Sequence, residues 1–514
     1  MRVRNGGALT RRRFLMTLTS AAAAGGHKAA AAFPSRLAQR PLVTHGVQSG
    51  DVSMDGGMVW ARSDRPARLL IEASSTSNFA NICHASFADA LPETDFTAKA
   101  LLEDLPSGQD IFYRLRFQDL LSPKVTSEPV IGHFRTAPSD RRTISFVWSG
   151  DTAGQGWGID ESRGGMRTYA TMLRHRPDFF IHCGDNIYAD CIVPEKQSLP
   201  NGETWCNIVT EEKSRVATTL PDYRGNYKYN LLDANVRAFN AEVPVFAQWD
   251  NHEVMDNWWP EGTFDRPDYK VHSALLLAAR AGRAFHEYMP LRYVSSEPGR
   301  IYRRISYGPL LDIFLLDMRS YRGLNDTRPQ NGDGPDAHLL GPQQLAWLKR
   351  ELRRSAATWK VIASDAPLAT IAADLLDGRC AAGPGFEIAD LLRFMKRAGI
   401  RNTVWLTADL HYTAAHYFDP NKALFDDFEP FWEFVSGPLH AGTWTPVGLN
   451  RVFGPQVIFQ KAASPGQGDN LAPCFGLQFF GHVKIDGVSR QMTVTLNDVE
   501  DRALWTKTLD PVFV

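Results

Sequence analysis

At 514 residues, with 44% hydrophobic and 22% charged side chains, the chain reads as globular and too long for one compact core. Its net charge is −1, and residues 1–32 carry Arg2, Arg4, Arg11, Arg12, Arg13, Lys28 and no acid, so the chain beyond them stands near −7. That balance excludes a dedicated nucleic-acid-binding surface.

In chain order, the first element is a targeting segment. Thr10-Arg-Arg-Arg-Phe-Leu15 has the form of a twin-arginine signal, followed by a short apolar stretch to Ala24 and small residues at Ala29–Ala32. The expectation is a signal peptide over 1–32, the twin-arginine export machinery as a partner, and a periplasmic or secreted product. No other run approaches the ~20 apolar residues of a spanning helix. Twin-arginine export carries folded proteins, so a metal could be loaded before export, and compartment often decides which metal a site receives.

Residues 42–138 read as all-β, with short alternating runs (Gly57–Trp60, Arg68–Glu72, Phe112–Phe117) between Gly, Pro, Asp and Ser turns. Leu102-Glu-Asp-Leu-Pro106, followed by Tyr113, resembles the pattern of fibronectin type III-like sandwiches. From about residue 142 to 514 the pattern changes to strands alternating with helical stretches: Gly164–Arg176, Ala274–Tyr288, Pro342–Leu352 and Ala389–Met395. The tail returns to β as a hairpin of Phe479–Ile485 and Gln491–Leu496. Strand–helix alternation predicts an α/β arrangement with the site at the strands' carboxyl ends.

Several apolar runs in this region end in metal-ligating residues. Ile144–Trp148 leads to Asp151, Phe179–Ile181 to Gly184-Asp185-Asn-Ile-Tyr188, and Val243–Phe246 to Asp250-Asn251-His252-Glu253. Val361-Ile362 leads to Asp365, and Val404–Leu406 to Asp409-Leu-His411. Gly184 lets the chain turn off its strand, Asp185 can lie between two cations, and Tyr188 returns to the same ion. Asn251 offers an amide oxygen, and His252 can face the substrate. Carboxylates, a phenol, an amide and imidazoles gathered at the same ends of adjacent strands are what two metal ions need.

Six cysteines are few for this length. Cys191 and Cys206 flank a Pro- and Gly-containing loop and could pair in an oxidising compartment. Cys183 reads as a small buried hydrophobe. Trp258 and Trp259 read as packing or as a pocket wall, and His182 and His416 as structural. Arg163, Arg319 and Arg322, each just past a strand end, are candidates to hold a phosphate; Arg163 reads equally as a surface salt bridge.

The order Asp, Gly-Asp-x-x-Tyr, Asn-His-Glu, Asp-x-His is the metallophosphoesterase pattern, and its tyrosine variant resembles the purple acid phosphatases. Gly46–Asp51, Trp249–Glu253, Leu316–Arg322 and Ser436-Gly-Pro-Leu-His440 are more similar to the PhoD-type alkaline phosphatases. That resemblance implies a four-layer αββα metallophosphoesterase catalytic domain preceded by a small β-sandwich of fibronectin III/Ig-like type. It also implies an iron ion beside calcium, and hydrolysis of phosphate mono- or diesters by a metal-bridged hydroxide. Carried over by residue, Asp151, Tyr188 and His411 would hold Fe3+, with Asp185 bridging. Asn251, Asp365 and Asp409 would hold Ca2+, with Zn2+ or Mn2+ as alternatives. Where better-known members carry a cysteine, this chain reads Ser149-Gly150-Asp151, and Asp365 stands where many metallophosphoesterases have histidine. His252, with Asp185 and Asn251, would be catalytic, stabilising charge or protonating the leaving oxygen. The rival readings are a phospholipase-type phosphodiesterase on lipid head groups and a non-catalytic cell-surface binding protein. A carboxylate-pair glycosidase would have no need of Tyr188, Asn251 and His411 in this order.

Overall fold

Along the strand Ile144–Ser149, Phe146 and Trp148 enter one core while Val147 enters another. The same two-residue period sorts Phe179 and Ile181 from Phe180, and Phe246 from Val245 and Ala247. In a second set of strands it sorts Ile313 and Leu315 from Phe314, Val361 and Ala363 from Ile362, and Val404 and Leu406 from Trp405. Two sheets therefore meet face to face over a shared middle core, and each carries helices on its outer face. This is the four-layer αββα order. The structure, a computed structural model, describes residues 40–324, 337–370 and 384–513, so the expected signal segment lies outside the described residues.

The first sheet has nine strands, in the order Ala503–Leu509, Met492–Asp498, Phe479–Ile485, Ile144–Ser149, Phe179–Cys183, Val245–Gln248, Val43–Gly50, Gly57–Ser63, Thr97–Leu102. The second has seven: Arg303–Tyr307, Leu311–Leu315, Trp359–Ala363, Thr403–Thr407, Phe431–Val435, Thr413–Phe418, Pro455–Lys461. Ile144–Ser149, Phe179–Cys183 and Val245–Gln248 are mutually parallel, as are Trp359–Ala363, Thr403–Thr407 and Phe431–Val435. Their carboxyl ends carry Asp151, Asp185, Asp250–His252, Asp365 and Asp409–His411.

Helices Arg167–Arg174, Leu220–Asn230, Ala234–Glu242 and Ala274–Tyr288 cover the first sheet, and Gly341–Arg354 and Pro384–Arg397 cover the second. Two of these, Leu220–Asn230 and Ala234–Glu242, were not among the helices expected from sequence. Their apolar stripe is weak, and Leu220–Asn230 starts on a capping box of Thr219 and Asp222.

The N-terminal β-sandwich precedes the catalytic domain and is fused to it. A four-stranded sheet, Ile82–Ala90, Ala67–Ser74, Asp110–Asp119, Val130–Arg135, faces the strands Val43–Gly50, Gly57–Ser63 and Thr97–Leu102. Those three strands also extend the nine-stranded sheet, through the parallel partners Gly50 and Val245. From Pro41 onward the described residues form one compact unit, and the expected break between residues 138 and 142 is bridged by this pairing.

Polar side chains lock the junction. Arg303 is buried and donates to Asp51 through Nη2 (2.7 Å) and Nε (2.9 Å), and to the Ala247 carbonyl at 3.0 Å. Asp51 also accepts from the Arg292 amide at 2.8 Å. Removing one partner of a buried ion pair leaves an uncompensated charge. Asp51→Ala is expected to destabilise the fold by roughly 3–5 kcal/mol, read as a lower urea midpoint.

Candidate metal centre

Three predicted ligands from three strand ends meet. Oxygen atoms of Asp151 and Asp185 and a ring nitrogen of His411 all lie within 4.8 Å of one another, and all three residues are buried. Tyr188 joins them, its hydroxyl 2.8 Å from His411 Nε2. His411 Nδ1 donates to the Gly442 carbonyl at 2.5 Å, so Nε2 carries the lone pair, accepts from Tyr188 and is the atom free to ligate. Burial holds this imidazole neutral, pushed down to about 3.

The backbone is bent to bring these groups together. Asp151, Asp185, Asp409 and His411 all adopt left-handed φ of 50° to 66°, a conformation costing on the order of 1 kcal/mol or more for a residue with a Cβ. Surrounding bonds hold it. Glu253 Oε1 accepts from Asn186 N (2.5 Å) and Nδ2 (2.7 Å), while Oε2 accepts from Asp185 N (3.2 Å) and Asp250 N (2.7 Å). The amides of Leu439, His440 and Ala441 converge on the Asp151 carbonyl at 3.1, 3.1 and 3.2 Å, which accounts for the Ser436–His440 phrase. Gln248 Nε2 crosses between the sheets to the carbonyls of Leu316 (2.8 Å) and Ala363 (2.9 Å).

Electrostatics at this centre is unfavourable for the protein alone. Burial, then the Asp250 charge, raises the carboxyls of Asp151, Asp185 and Asp365 well above the usual carboxylate range. Burial, with Asp185 and Asp151, likewise raises the Tyr188 phenol. Buried oxygens without a protein hydrogen-bond partner cluster here too: Asp151 Oδ2, Asp185 Oδ2, Asn251 Oδ1 and both carboxylate oxygens of Asp365. Buried acceptor oxygens left without a hydrogen bond fit a cation, and this donor set of carboxylates, amide, phenol and imidazole fits hard ions.

Other expectations fare differently. Asp409 turns in the same loop and its backbone hydrogen-bonds to Asp151, but its half-buried carboxylate stands outside the tight group of Asp151, Asp185 and His411. Arg319 is wholly buried, with Nε 2.5 Å from Asp250 and 3.5 Å from Asp365. It is an internal counter-ion and not the substrate contact expected from sequence. Arg163 pairs with Glu203 at 2.9 Å and Asp160 at 3.4 Å and lies over Trp205, so its place is a salt bridge away from the centre. Cys191 and Cys206 are free thiols in this structure, not a disulfide. Trp258 packs in the helix-side core against Trp249.

Two residues outside the expected set complete the rim. Asp190 accepts from His252 Nδ1 at 2.8 and 2.9 Å and from the Asp256 amide at 2.7 Å. His252 stacks on Tyr188 with ring centroids 4.4 Å apart. Burial opposes charge on His252, but the Asp190 carboxylate overrides it and pushes the imidazole up to about 9. Asp250 accepts from Arg319 and orients the Asn-His-Glu turn through the Asn251 amide at 2.7 Å. Asp250 sits inside the quoted motif; Asp190, two residues after Tyr188, had no sequence signal.

A family model described as PhoD-like phosphatase matches residues 146–496, and one described as PhoD-like phosphatase, N-terminal domain, matches residues 27–138. The chain is similar to alkaline phosphatase D of Bacillus subtilis (strain 168): 26% identical over 432 residues, spanning 79% of this chain and 70% of that protein. A solved structure of PhoD superposes with a TM-score of 0.69 at 19% identity, over 92% of this chain and 93% of that one. Purple acid phosphatase PPD1 from yellow lupin (Lupinus luteus) seeds superposes at 0.59 and 12% identity, over 92% and 74%. The two superpositions speak for the fold.

Gly154 is a test of the packing behind Tyr188. A Cβ there would lie 2.0 Å from the phenol ring. Gly154→Ala is expected to displace Tyr188 and lower activity by roughly a hundredfold, the scale of a 1 Å misplacement. Circular dichroism should stay native while kcat/KM falls.

Proposed function

Because the chain belongs to the PhoD-like phosphatase family, and is thus a phosphoester-hydrolysing enzyme, we propose that its chemistry takes place where Asp151, Asp185, Tyr188, Asn251, Asp365 and His411 converge. The observation that carries this reading is the set of buried oxygens on Asp151, Asp185, Asn251 and Asp365 that lack a hydrogen-bond partner. Metal dependence follows from the same donors. Asp151, Tyr188 and His411 would hold Fe3+, Asp185 would reach both ions, and Asn251, Asp365 and Asp409 would hold Ca2+, with Zn2+ or Mn2+ as the alternative second ion. Such a pair of cations supplies charge neutralisation at the phosphoryl oxygens and lowers the pKa of attacking water.

The chain's own groups do the rest. His411 is fixed by Gly442 with its lone pair turned inward. Asp250 and Arg319 hold the Asn251 turn in place. His252 keeps its Nδ1 proton on Asp190 and presents the opposite nitrogen, Nε2, as the acid for the leaving oxygen. The substrate reading is a small phosphate mono- or diester. The twin-arginine segment over 1–32 is read as an export signal, which N-terminal sequencing of secreted protein would test.

Elemental analysis of protein purified without added metal, taken with its visible spectrum, tests the centre. Iron with a tyrosinate absorption band is expected, and a colourless, zinc-only protein would falsify the assignment of Tyr188. Chelation should abolish hydrolysis of p-nitrophenyl phosphate and its bis-ester, and Asp185→Asn should do the same. His252→Ala should lower kcat by about 10²–10⁴.

The pH profile isolates Asp190. A raised imidazole pKa keeps His252 protonated below about pH 9 and lets the proton go as pH rises through that value. Bound cations pull the other way, so the informative quantity is the difference between variants. Asp190→Asn should move the alkaline limb of the kcat profile to lower pH. An unmoved limb would remove His252 from the acid role.

A further inference from the structure

Beside the buried centre lies a second constellation of ligating atoms, in which Asp190 and His252, already part of the hydrolytic reading, are joined by Cys191, which that reading does not use. A carboxylate oxygen of Asp190, the Sγ of Cys191 and a ring nitrogen of His252 all lie within 4.8 Å of one another. The His252 side chain is 13% and the Asp190 side chain 5% exposed, against 1% for Asp151, so this group is the less enclosed of the two. We propose that Asp190, Cys191 and His252 form a rim site for a soft or borderline divalent cation such as Zn2+, and that filling it inhibits hydrolysis.

The donor set makes the choice of ion. One sulfur, one imidazole nitrogen and one carboxylate oxygen are three ligands of a tetrahedral zinc, with the fourth position open to water. Thiolate selects against calcium and other hard ions, so the rim favours a softer ion than the Fe3+ and Ca2+ read for the interior. Two of the three ligands are already held. Asp190 is fixed by the Asp256 amide at 2.7 Å, and His252 is fixed by Asp190 at 2.8 Å and by its stack on Tyr188. Cys191 follows Asp190 directly in a turn whose amide reaches the Tyr188 carbonyl at 3.4 Å, and its thiol is free.

Binding is an exchange of protons for the cation. The Cys191 S–H bond breaks, its proton leaves to solvent, and a sulfur–metal bond forms. The Nδ1 proton of His252 also leaves, and the vacated lone pair binds the ion. The imidazole then exchanges its Asp190 hydrogen bond for the metal and can no longer carry the extra proton that the leaving oxygen needs. The inhibitory half of the proposal rests on His252 as acid; the binding half does not.

The test uses the metal-loaded enzyme as purified. Cd2+ is titrated while the ultraviolet cadmium–thiolate charge-transfer band is followed, and Zn2+ is titrated against hydrolysis of p-nitrophenyl phosphate. The native enzyme should develop the band to one equivalent and lose activity with Zn2+. Cys191→Ala and Cys191→Ser should keep basal activity, lose the band, and need at least roughly tenfold more Zn2+ for inhibition, the loss seen when even an outer partner is removed from a metal site. An unchanged band and unchanged Zn2+ sensitivity in both variants would overturn the site. A band that vanishes with Cys191 while Zn2+ leaves native activity untouched would keep the site and overturn both inhibition and the acid role of His252.

Discussion

Several carboxylates are buried together where two sheets end, and that crowding is the constraint on which the rest of the structure depends. Asp151, Asp185 and Asp365 are each driven toward the protonated form, first by burial and then by Asp250. Arg319, packed against Asp250 and Asp365, offsets part of this. Bound cations would offset the remainder, because such ions become the largest local charges and reverse the pKa logic of their ligands. The left-handed backbone at Asp151, Asp185, Asp409 and His411 belongs to the same balance: strain persists where the surroundings over-determine it. Those surroundings are Glu253, Gln248 and the amides that close on the Asp151 carbonyl.

The architecture explains why the crowding occurs where it does. Parallel strands bring their carboxyl ends to one edge, and stacking two such sheets puts two edges side by side. Neither sheet alone supplies the centre. Of the candidate ligands, the first brings Asp151, Asp185, Tyr188 and Asn251, the second Asp365, Asp409 and His411. Gln248 and Trp148 tie the two by donating to carbonyls on the opposite sheet. The N-terminal sandwich contributes at one remove: its strand Val43–Gly50 sits beside Val245–Gln248, and Asp51 grips Arg303, which holds the Ala247 carbonyl. The Gly46–Asp51 phrase is thus a structural joint that supports the strand leading to Asn251 and His252.

Hardness is graded from the interior outward. Oxygen donors dominate the buried centre, while the mixed Asp190–Cys191–His252 group occupies the solvent side. His252 touches both, stacked on Tyr188 beside the buried group and itself one of the outer three.

The amino-acid sequence by itself determined a good deal. Apolar runs such as Ile144–Trp148 marked the strands, and the order of Asp151, Asp185, Tyr188, Asn251 and His411 marked the candidate centre, because turn glycines and strand-end acids are local signals. Alanine- and leucine-rich Ala274–Tyr288 was legible for the same reason, whereas Leu220–Asn230, stabilised by its cap and by packing, was not. Tertiary structure alone decided the roles that depend on distance between segments far apart in the chain. It made Arg319 an internal counter-ion and Arg163 a surface pair. It joined Asp190 to His252 across 62 residues and merged the N-terminal strands into the catalytic sheet. Period and propensity report how a segment meets a core; they carry no information about which charge it will face there, since Coulomb energy depends on separation in space and not along the chain.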